Sequence, residues 1–300
     1  MDELGVSVVI PTLNRDGFLY DSVKDMINQK YPNFEIIIVD QSDKISPEIE
    51  ELSKKHSDII RHYHNVGFKG LPHARNFGWQ HAKYEIVLYI DDDIRANSLF
   101  IYNHSRNYSD TMVSVVGGRI KEIGMGDDDS VGRFNPWTFG LTTNFYSDKT
   151  QYIDHAKGCN FSIRKSILRK INGFDEALNV GAALYEELEL MLRVKSEKGK
   201  ILFDANAELH HLAAPTGGCR IPDVPKYMYS LAHNRSLVIE RHLAFYHKPT
   251  AYGRLLLLGL SYSRSARSFK PFLSTIRGMS AGRKAGALPV VCSDYKDEEN

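Results

Sequence analysis

Along the first part of the chain, short β-branched apolar runs alternate with segments whose apolar residues recur every three to four positions. Val6 to Pro11 (VSVVIP) predicts a buried strand whose exit is the proline. Residues 16 to 29 place Leu19, Val23, Met26 and Ile27 on one helical face. Phe34 to Val39 (FEIIIV) predicts a second buried strand, closed by Asp40. Ser46 followed by Pro47 and Glu48 reads as a helix N-cap with proline at the first helical position. Ile59 to Tyr63 predicts a short third strand, Leu71 to Ala82 a helix, and Glu85 to Ile90 (EIVLYI) a fourth strand that runs straight into Asp91-Asp92-Asp93. A helix from about 97 to 107 and a strand over Met112 to Val116 follow. Regular alternation of this kind predicts an α/β fold, a Rossmann-like, mostly parallel sheet flanked by helices.

The pattern breaks from about 121 to 150, where GMGDDDSVGRFNPWTFG is rich in Gly, Asp and aromatics. A loop that long is usually functional or mobile. Phe134, Trp137, Phe139 and Tyr146 are its candidates for stacking on a ligand or closing as a lid, or for packing the loop down. Regularity returns with Gly158 to Arg164, a helix near 165 to 171 and a helix over Glu186 to Glu197. Residues 224 to 246 and about 250 to 280 predict two helices outside the alternating unit, a C-terminal helical appendage.

Composition narrows the class. A chain of 300 residues with 42% hydrophobic and 25% charged residues suits one globular catalytic domain plus an appendage. The three cysteines, Cys159, Cys219 and Cys292, form no C-x-x-C pair, so neither a zinc knuckle nor a disulfide framework is indicated. The acidic start Met1-Asp2-Glu3 is unlike a basic secretory leader. The apolar run at Leu255 to Leu260 is far below the roughly 18 residues that span a bilayer. The expected location is therefore cytoplasmic, or peripheral at the inner face of the membrane. Net charge is only +1, yet residues 224 to 293 hold eleven Lys or Arg against the single acid Glu240. A basic stretch interleaved with Tyr227, Tyr229, Phe245, Tyr246, Tyr252 and Phe269 suits contact with an anionic membrane surface, or a plain helical or dimer contact. A nucleic-acid partner is not expected.

The chemistry gathers at strand ends. In an open parallel sheet, ligands bind beyond the carboxyl ends of the strands. Thr12-Leu13-Asn14-Arg15, Asp40 and Asp91-Asp92-Asp93 all fall there. Three consecutive carboxylates repel one another unless a cation such as Mg²⁺ or Mn²⁺ neutralises them, and such metals are usually shared with substrate phosphates. A solvated turn is the other reading of the same residues. Arg75 suits a phosphate or a site carboxylate, and Asp40 suits a base N–H.

Seven strings occur in order and at natural spacings: SVVIPTLNR, FEIIIVD, ARNFG, YIDDDI, GCNFSIRKS, INGFDE and EELELMLR. Together they resemble a family 2 glycosyltransferase of the GT-A fold over roughly residues 5 to 220. The resemblance implies a GT-A catalytic domain over 1–222, with a nucleotide-sugar half to about 118 and an acceptor half from about 119, followed by the basic helical region 223–300. It implies nucleotide contacts from Pro11, Thr12, Asn14, Arg15, Asp40, Gly67 and Arg75. Asp91 is expected towards ribose and metal, Asp93 on the metal, and Asp92 beside the nucleotide as a variable bystander. His211 is the expected third metal ligand, since it fits the family's position better than His210, and only one of the two should ligate because adjacent residues of an extended chain face opposite ways. The base is expected at Glu187, where the family more often carries Asp, with Glu186 as the other candidate. The implied reaction is inverting transfer of a sugar from a nucleotide-diphosphate donor, by analogy a UDP-sugar, to a saccharide or lipid-linked hydroxyl, assisted by Mn²⁺ or Mg²⁺. Sugar nucleotidyl transfer and non-catalytic binding of a nucleotide sugar are the alternatives. A dehydrogenase is disfavoured because Pro11-Thr12-Leu13-Asn14 stands where a glycine-rich turn belongs.

Overall fold

The computed structural model describes residues 4–64, 66–121, 130–214 and 221–295. Residues 122–129 of the long loop, and Cys219, lie outside them. The strands are β1 (Val6–Thr12), β2 (Phe34–Asp40), β3 (Ile60–His64), β4 (Ile86–Ile90), β5 (Ile94–Ala96), β6 (Val113–Lys121), β7 (Phe134–Asn135), β8 (Gly140–Leu141), β9 (Gln151–Tyr152), β10 (Asn160–Arg164) and β11 (Lys200–His211). The helices are α1 (Asp16–Ile27), α2 (Pro47–Lys55), α3 (Leu71–His81), α4 (Phe100–Ser105), α5 (Lys165–Lys170), α6 (Glu186–Ser196), α7 (Val224–His242), α8 (Lys248–Ser265) and α9 (Lys270–Gly286).

The main sheet runs β3-β2-β1-β4-β10-β6-β11-β5, with β9 paired to β11. Neighbours among β1 to β4 are parallel, as are β6 and β11. β10 runs against both β4 and β6, and β5 runs against β11. The expected mostly parallel sheet is present, and three reversed strands, β5, β9 and β10, are added to it. Strand direction leaves no trace in a run buried on both faces, because such a run has no alternation to read. β5 is three residues long, and the register of β11 is interrupted twice along its length, so neither shows a clean strand period.

The core is the two-sided burial of this sheet. Every residue of β1 and β4 is buried, and Leu19, Val23 and Met26 of α1 pack against them from the predicted helical face. Two helical boundaries differ from the sequence pattern. α4 begins at Phe100 and gives way to a 3₁₀ turn over Arg106–Ser109. The stretch expected as one helix over about 250 to 280 is two, α8 and α9. Arg267 adopts a left-handed φ of 48° between them, and Pro271, without an N–H to donate, opens α9.

The C-terminal helices are built onto the sheet domain. α7 is buried over Met228 and then Ser230 through Ile239. Leu237, Val238 and Ile239 form one apolar cluster with Leu188 of α6 and with Phe139. α9 approaches α7 through Gly278, Gly282 and Gly286, where a methyl group would overlap the backbone carbonyls of Tyr229, His233 and Leu237. Charge fixes the same seam. Glu189 of α6 is fully buried and accepts bonds from Arg193 Nη2 at 2.6 Å, Arg241 Nη1 at 3.1 Å and His242 Nε2 at 3.0 Å. Arg241 also pairs with Asp175.

Burial alone favours a neutral Glu189, but Arg193 and His242 hold its carboxyl down to about 2. A carboxyl whose folded-state pKa lies below its unfolded value near 4.5 stabilises the fold fully above that value, and the contribution is lost as pH falls towards 2. Between pH 7 and pH 3 this group accounts for roughly 2 kcal/mol of lost stability. Urea unfolding of Glu189→Gln at the two pH values should show a smaller acid penalty than wild type by about that amount. An acid penalty equal to that of wild type would remove Glu189 from this role.

Candidate active site

β1, β2 and β4 end together, and their registers bring the polar strand ends into one row. Thr12 is paired with Asp40 across β1 and β2. Val9 is paired with Tyr89 across β1 and β4, and continuing that register brings Thr12 beside Asp92. Thr12 Oγ1 donates to Asp92 Oδ2 at 2.7 Å, and Arg15 Nη1 reaches Asp92 Oδ1 at 3.0 Å and Asp93 Oδ2 at 3.3 Å. Ser22 Oγ donates to the Asp92 carbonyl at 2.7 Å. Asp92 is therefore a strut that ties the exit of β1 to the acidic turn. Burial pushes its carboxyl up to about 6, against the pull of Thr12 and Arg15.

A cleft of about 270 Å³ opens over this row. Pro11, Thr12, Leu13, Arg15, Gln41, Gly70, Leu71, Asp91, Asp92, Asp93, His211 and Ala213 line it. Asn14, Asp40 and Gly67, expected as nucleotide contacts, are not among the residues that line it. Asp40 is buried, accepts the Ser42 N–H at 2.9 Å and faces His62 Nε2 at 3.2 Å. Burial works against its anion, but His62 and Ser42 hold its carboxyl below the ordinary range. Asn14 turns the chain at φ 56° and donates its N–H to Ser42 Oγ at 2.7 Å. Gly67, at φ 73°, shapes the loop leading to Gly70, whose N–H donates to Gln41 Oε1 at 2.6 Å. Gln41 and Gly70 were not singled out in the sequence. Gln41 directly follows Asp40, and its position could have been read from that strand end.

The acidic turn faces the end of β11. His211 pairs with Ile94 across β11 and β5, which sets its Nε2 3.3 Å from Asp93 Oδ1 and 3.8 Å from Asp91 Oδ2. His210 is exposed, as alternation along the strand requires. Asp93 Oδ2 accepts the Ala214 N–H at 2.8 Å, while Asp93 Oδ1 is buried with no partner in hydrogen-bonding geometry. Burial disfavours the Asp93 anion, but His211, the Ala214 N–H and Arg15 outweigh it and hold its carboxyl low. Asp91 differs, since burial and neighbouring acids raise its carboxyl despite Arg75. One donor was missed by the sequence reading. Cys159 is buried, and its Sγ, an Asp91 oxygen and a His211 nitrogen all lie within 4.8 Å of one another. The reversed β10 explains this. Asn160 pairs with Ile90, so the next step of an antiparallel register brings Cys159 to Asp91. A buried carboxylate oxygen without a donor, beside a carboxylate, an imidazole and a thiol, fits a divalent cation.

Arg75 links this row to α6. It is 1% exposed, and its guanidinium is turned away from the cleft. Nη1 pairs with Glu186 Oε1 and lies 3.7 Å from Glu187 Oε1, while Nη2 lies 3.9 Å from Asp91 Oδ1 and donates to the Gly158 carbonyl at 3.0 Å. Of the two sequence readings, phosphate or carboxylate partner, the structure shows the carboxylate. Burial opposes the charge on Arg75, but Glu186, Glu187 and Asp91 hold it firmly protonated. Burial drives Glu186 up to about 8 against the pull of Arg75.

The two glutamates separate by exposure. The Glu186 side chain is 1% exposed and committed to Arg75, whereas the Glu187 side chain is 25% exposed. Glu187 lines a second hollow with Leu141, His155, Tyr185 and Leu188. Tyr185 precedes the helix in the left-handed region, at φ 69°, so α6 starts abruptly with both glutamates in its first turn. The positive end of the helix dipole favours carboxylates there. A methyl group on Gly158 would overlap Glu187 Oε1 and Arg75 Nη2, so these two side-chain ends would have to shift to admit one. The loop aromatics divide. Phe139 is buried edge-to-face against Phe134 and Tyr185, with Arg235 over its ring. Trp137 is half exposed and packs on Tyr246 and His247.

Comparison with known proteins agrees with this architecture. The chain spans less than half the length of the curated relatives named here. It is 28% identical over 199 residues to a probable glycosyltransferase YdaM of Bacillus subtilis, covering 63% of this chain and 46% of that one. It is 34% identical over 91 residues to the GalNAc(5)-diNAcBac-PP-undecaprenol beta-1,3-glucosyltransferase of Campylobacter jejuni, covering 29% of each chain. Two solved structures share the fold. GalNAc-T7 with UDP, GalNAc and Mn²⁺ matches with a TM-score of 0.62 at 20% identity, over 92% of this chain and 57% of that one. The mannosyltransferase PcManGT of Pyrobaculum calidifontis, with GDP-Man and Mn²⁺, matches with a TM-score of 0.56 at 17% identity, over 95% and 86%. The family model for glycosyl transferase family 2 matches residues 7–172, and the chain, with its GT-A sheet and acidic strand end, belongs to that family.

Proposed function

We propose that this protein transfers a sugar, with inversion, from a nucleoside-diphosphate donor in the cleft over Asp91–Asp93 to a hydroxyl acceptor in the hollow beside Glu187. The carrying observation is the division of labour between the two glutamates. Glu186 is spent on Arg75, while Glu187 lines the hollow with a side chain 25% exposed. A base must come within hydrogen-bonding reach of the proton that it removes, and Glu187 is the carboxylate open to an acceptor.

The donor lies over the strand ends, with Thr12 and Arg15 on one side and Gly70 and Leu71 on the other. Asp91, Asp93 and His211 would hold a divalent cation such as Mn²⁺ or Mg²⁺, joined by Cys159 as a softer donor. Such a cation, when bound, offsets the charge that develops on the departing diphosphate. Arg75 stays protonated and keeps Glu186, Glu187 and Asp91 from repelling one another. Glu187 accepts the proton of the acceptor hydroxyl as its oxygen attacks the anomeric carbon from the face opposite the leaving group. Uridine is the proposed base, by analogy with the family that the strand-end motifs resemble. The acceptor is a saccharide or a lipid-linked saccharide. Nucleotidyl transfer is the second reading, and it would release pyrophosphate in place of nucleoside diphosphate.

Glu187→Gln should lower kcat by about 10²–10⁴-fold while leaving nucleotide affinity and thermal midpoint unchanged. Glu186→Gln should instead lower stability, since it weakens the buried contact that holds Arg75. Near-wild-type turnover in Glu187→Gln, as read by nucleoside-diphosphate release, would exclude Glu187 as the base.

The thiol has its own test. Co²⁺ added to the protein should give a near-ultraviolet thiolate-to-metal band that Cys159→Ser removes while the weaker visible bands remain. Identical spectra would place Cys159 outside the coordination sphere.

In a thermal-shift series with Mn²⁺, UDP should raise the midpoint more than GDP, ADP or CDP, and the gain should vanish in excess chelator. A bound ligand stabilises the fold by mass action, so equal shifts with every base would overturn the uridine assignment.

A further inference from the structure

The α8–α9 hairpin presents an apolar face that the fold leaves uncovered. Gly259 seats against Thr275 and fixes how the two helices pair. Leu256 and Ile276 line one groove between them. Leu260 stands one helical turn along from Leu256, and Leu273 one turn before Ile276, so these four share a face. Leu257, Leu260, Phe269, Leu273 and Ile276 are between 42% and 65% exposed. Large apolar side chains clustered in this way mark an interaction surface, unlike single residues scattered over a protein.

The charges around the face identify its partner. Residues 243–293 carry eight Lys or Arg and no Asp or Glu. Arg264, Arg267, Lys270 and Arg277 are exposed and have no carboxylate partner among the described residues. A second copy of this chain docked on the same face would set cations against cations, which is repulsive. No helix among the described residues is long and apolar enough to cross a membrane. A surface helix pair with leucines and a phenylalanine on one face, rimmed by arginine and lysine, suits a bilayer interface bearing negative headgroups.

We propose that the α8–α9 hairpin docks this protein on the surface of an anionic lipid bilayer. Leu257, Leu260, Phe269, Leu273 and Ile276 enter the headgroup boundary, and the surrounding cations meet lipid phosphates. The proposal is independent of the transfer reaction, because none of these residues touches the cleft or the hollow.

Co-sedimentation of the full chain with vesicles tests it. The chain should bind phosphatidylcholine vesicles containing about 30% phosphatidylglycerol at least tenfold more tightly than phosphatidylcholine alone, and added salt should weaken the binding. Combined Arg264→Glu, Arg267→Glu and Lys270→Glu should weaken it by more than about a hundredfold, since each cation contributes roughly fivefold. Combined Leu260→Ser and Ile276→Ser should weaken it by about tenfold. The thermal midpoint should hold in both variants, and the salt titration of the wild-type chain gives the same information with no substitution at all. Equal binding to neutral and anionic vesicles, or binding to neither, would overturn the proposal. A dimer that the serine variant splits, with vesicle binding unaltered, would assign the face to a second copy and also overturn it.

Discussion

The site depends on one buried cation. Arg75 has almost no contact with water, and it faces Asp91, Glu186 and Glu187 at once. Removing a guanidinium from water is costly, and the cost is offset only by close, well-placed anions. The carboxylates have the converse problem, because each raises the energy of the next. The arginine and the acids are therefore stable only together, and the assembly joins the end of β4 to the start of α6. A single ion-pair cluster fixes their spacing, and the Gly158 carbonyl accepts a further bond from Arg75.

The second constraint lies one helical turn deeper. Glu189 is on the same helix as Glu187 and is anchored to Arg241 and His242 of α7. Arg241 extends that anchor to Asp175. The C-terminal helices thus set the position of α6 from behind, while Arg75 sets it from the front. The segment that reads as an appendage in the sequence forms the back wall of α6. This explains why α7 is buried on nearly every face, an unusual state for a chain segment with a net basic composition.

Much of the parallel half was legible because its signals are local. Runs such as VSVVIP and FEIIIV have no other stable fate than a buried strand, and the acids that end them are forced to the sheet edge. Asp91 and Asp93 lie at that edge for this reason, and His211 meets them there from the end of β11. What was not legible depends on strand direction. Nothing in NFSIR distinguishes an antiparallel strand from a parallel one, yet its reversal carries Gly158 and Cys159 to the edge that holds Asp91. Cys159 was dismissed on spacing, a rule that concerns cysteines paired with each other and is silent about a cysteine brought in by register. Arg75 was ambiguous for a related reason. Its place on α3 was readable, but its partner was set by how α6 enters, and that follows from the left-handed Tyr185.

The reversed strand also bears on how such a site is assembled. A wholly parallel sheet delivers to its ligand edge only residues that follow strands. An antiparallel insertion delivers residues that precede one, from a different loop and in a different chemical setting. Here the parallel strands supply carboxylates and hydroxyls, and the loop before β10 supplies a thiol and a glycine packed against the ends of Glu187 and Arg75. The glycine lets Arg75 and Glu187 approach within 3.7 Å, and the thiol sits beside the acid nearest that pair. One change of strand direction therefore accounts for both the tightness of the charge cluster and the unusual softness of the donor set next to it.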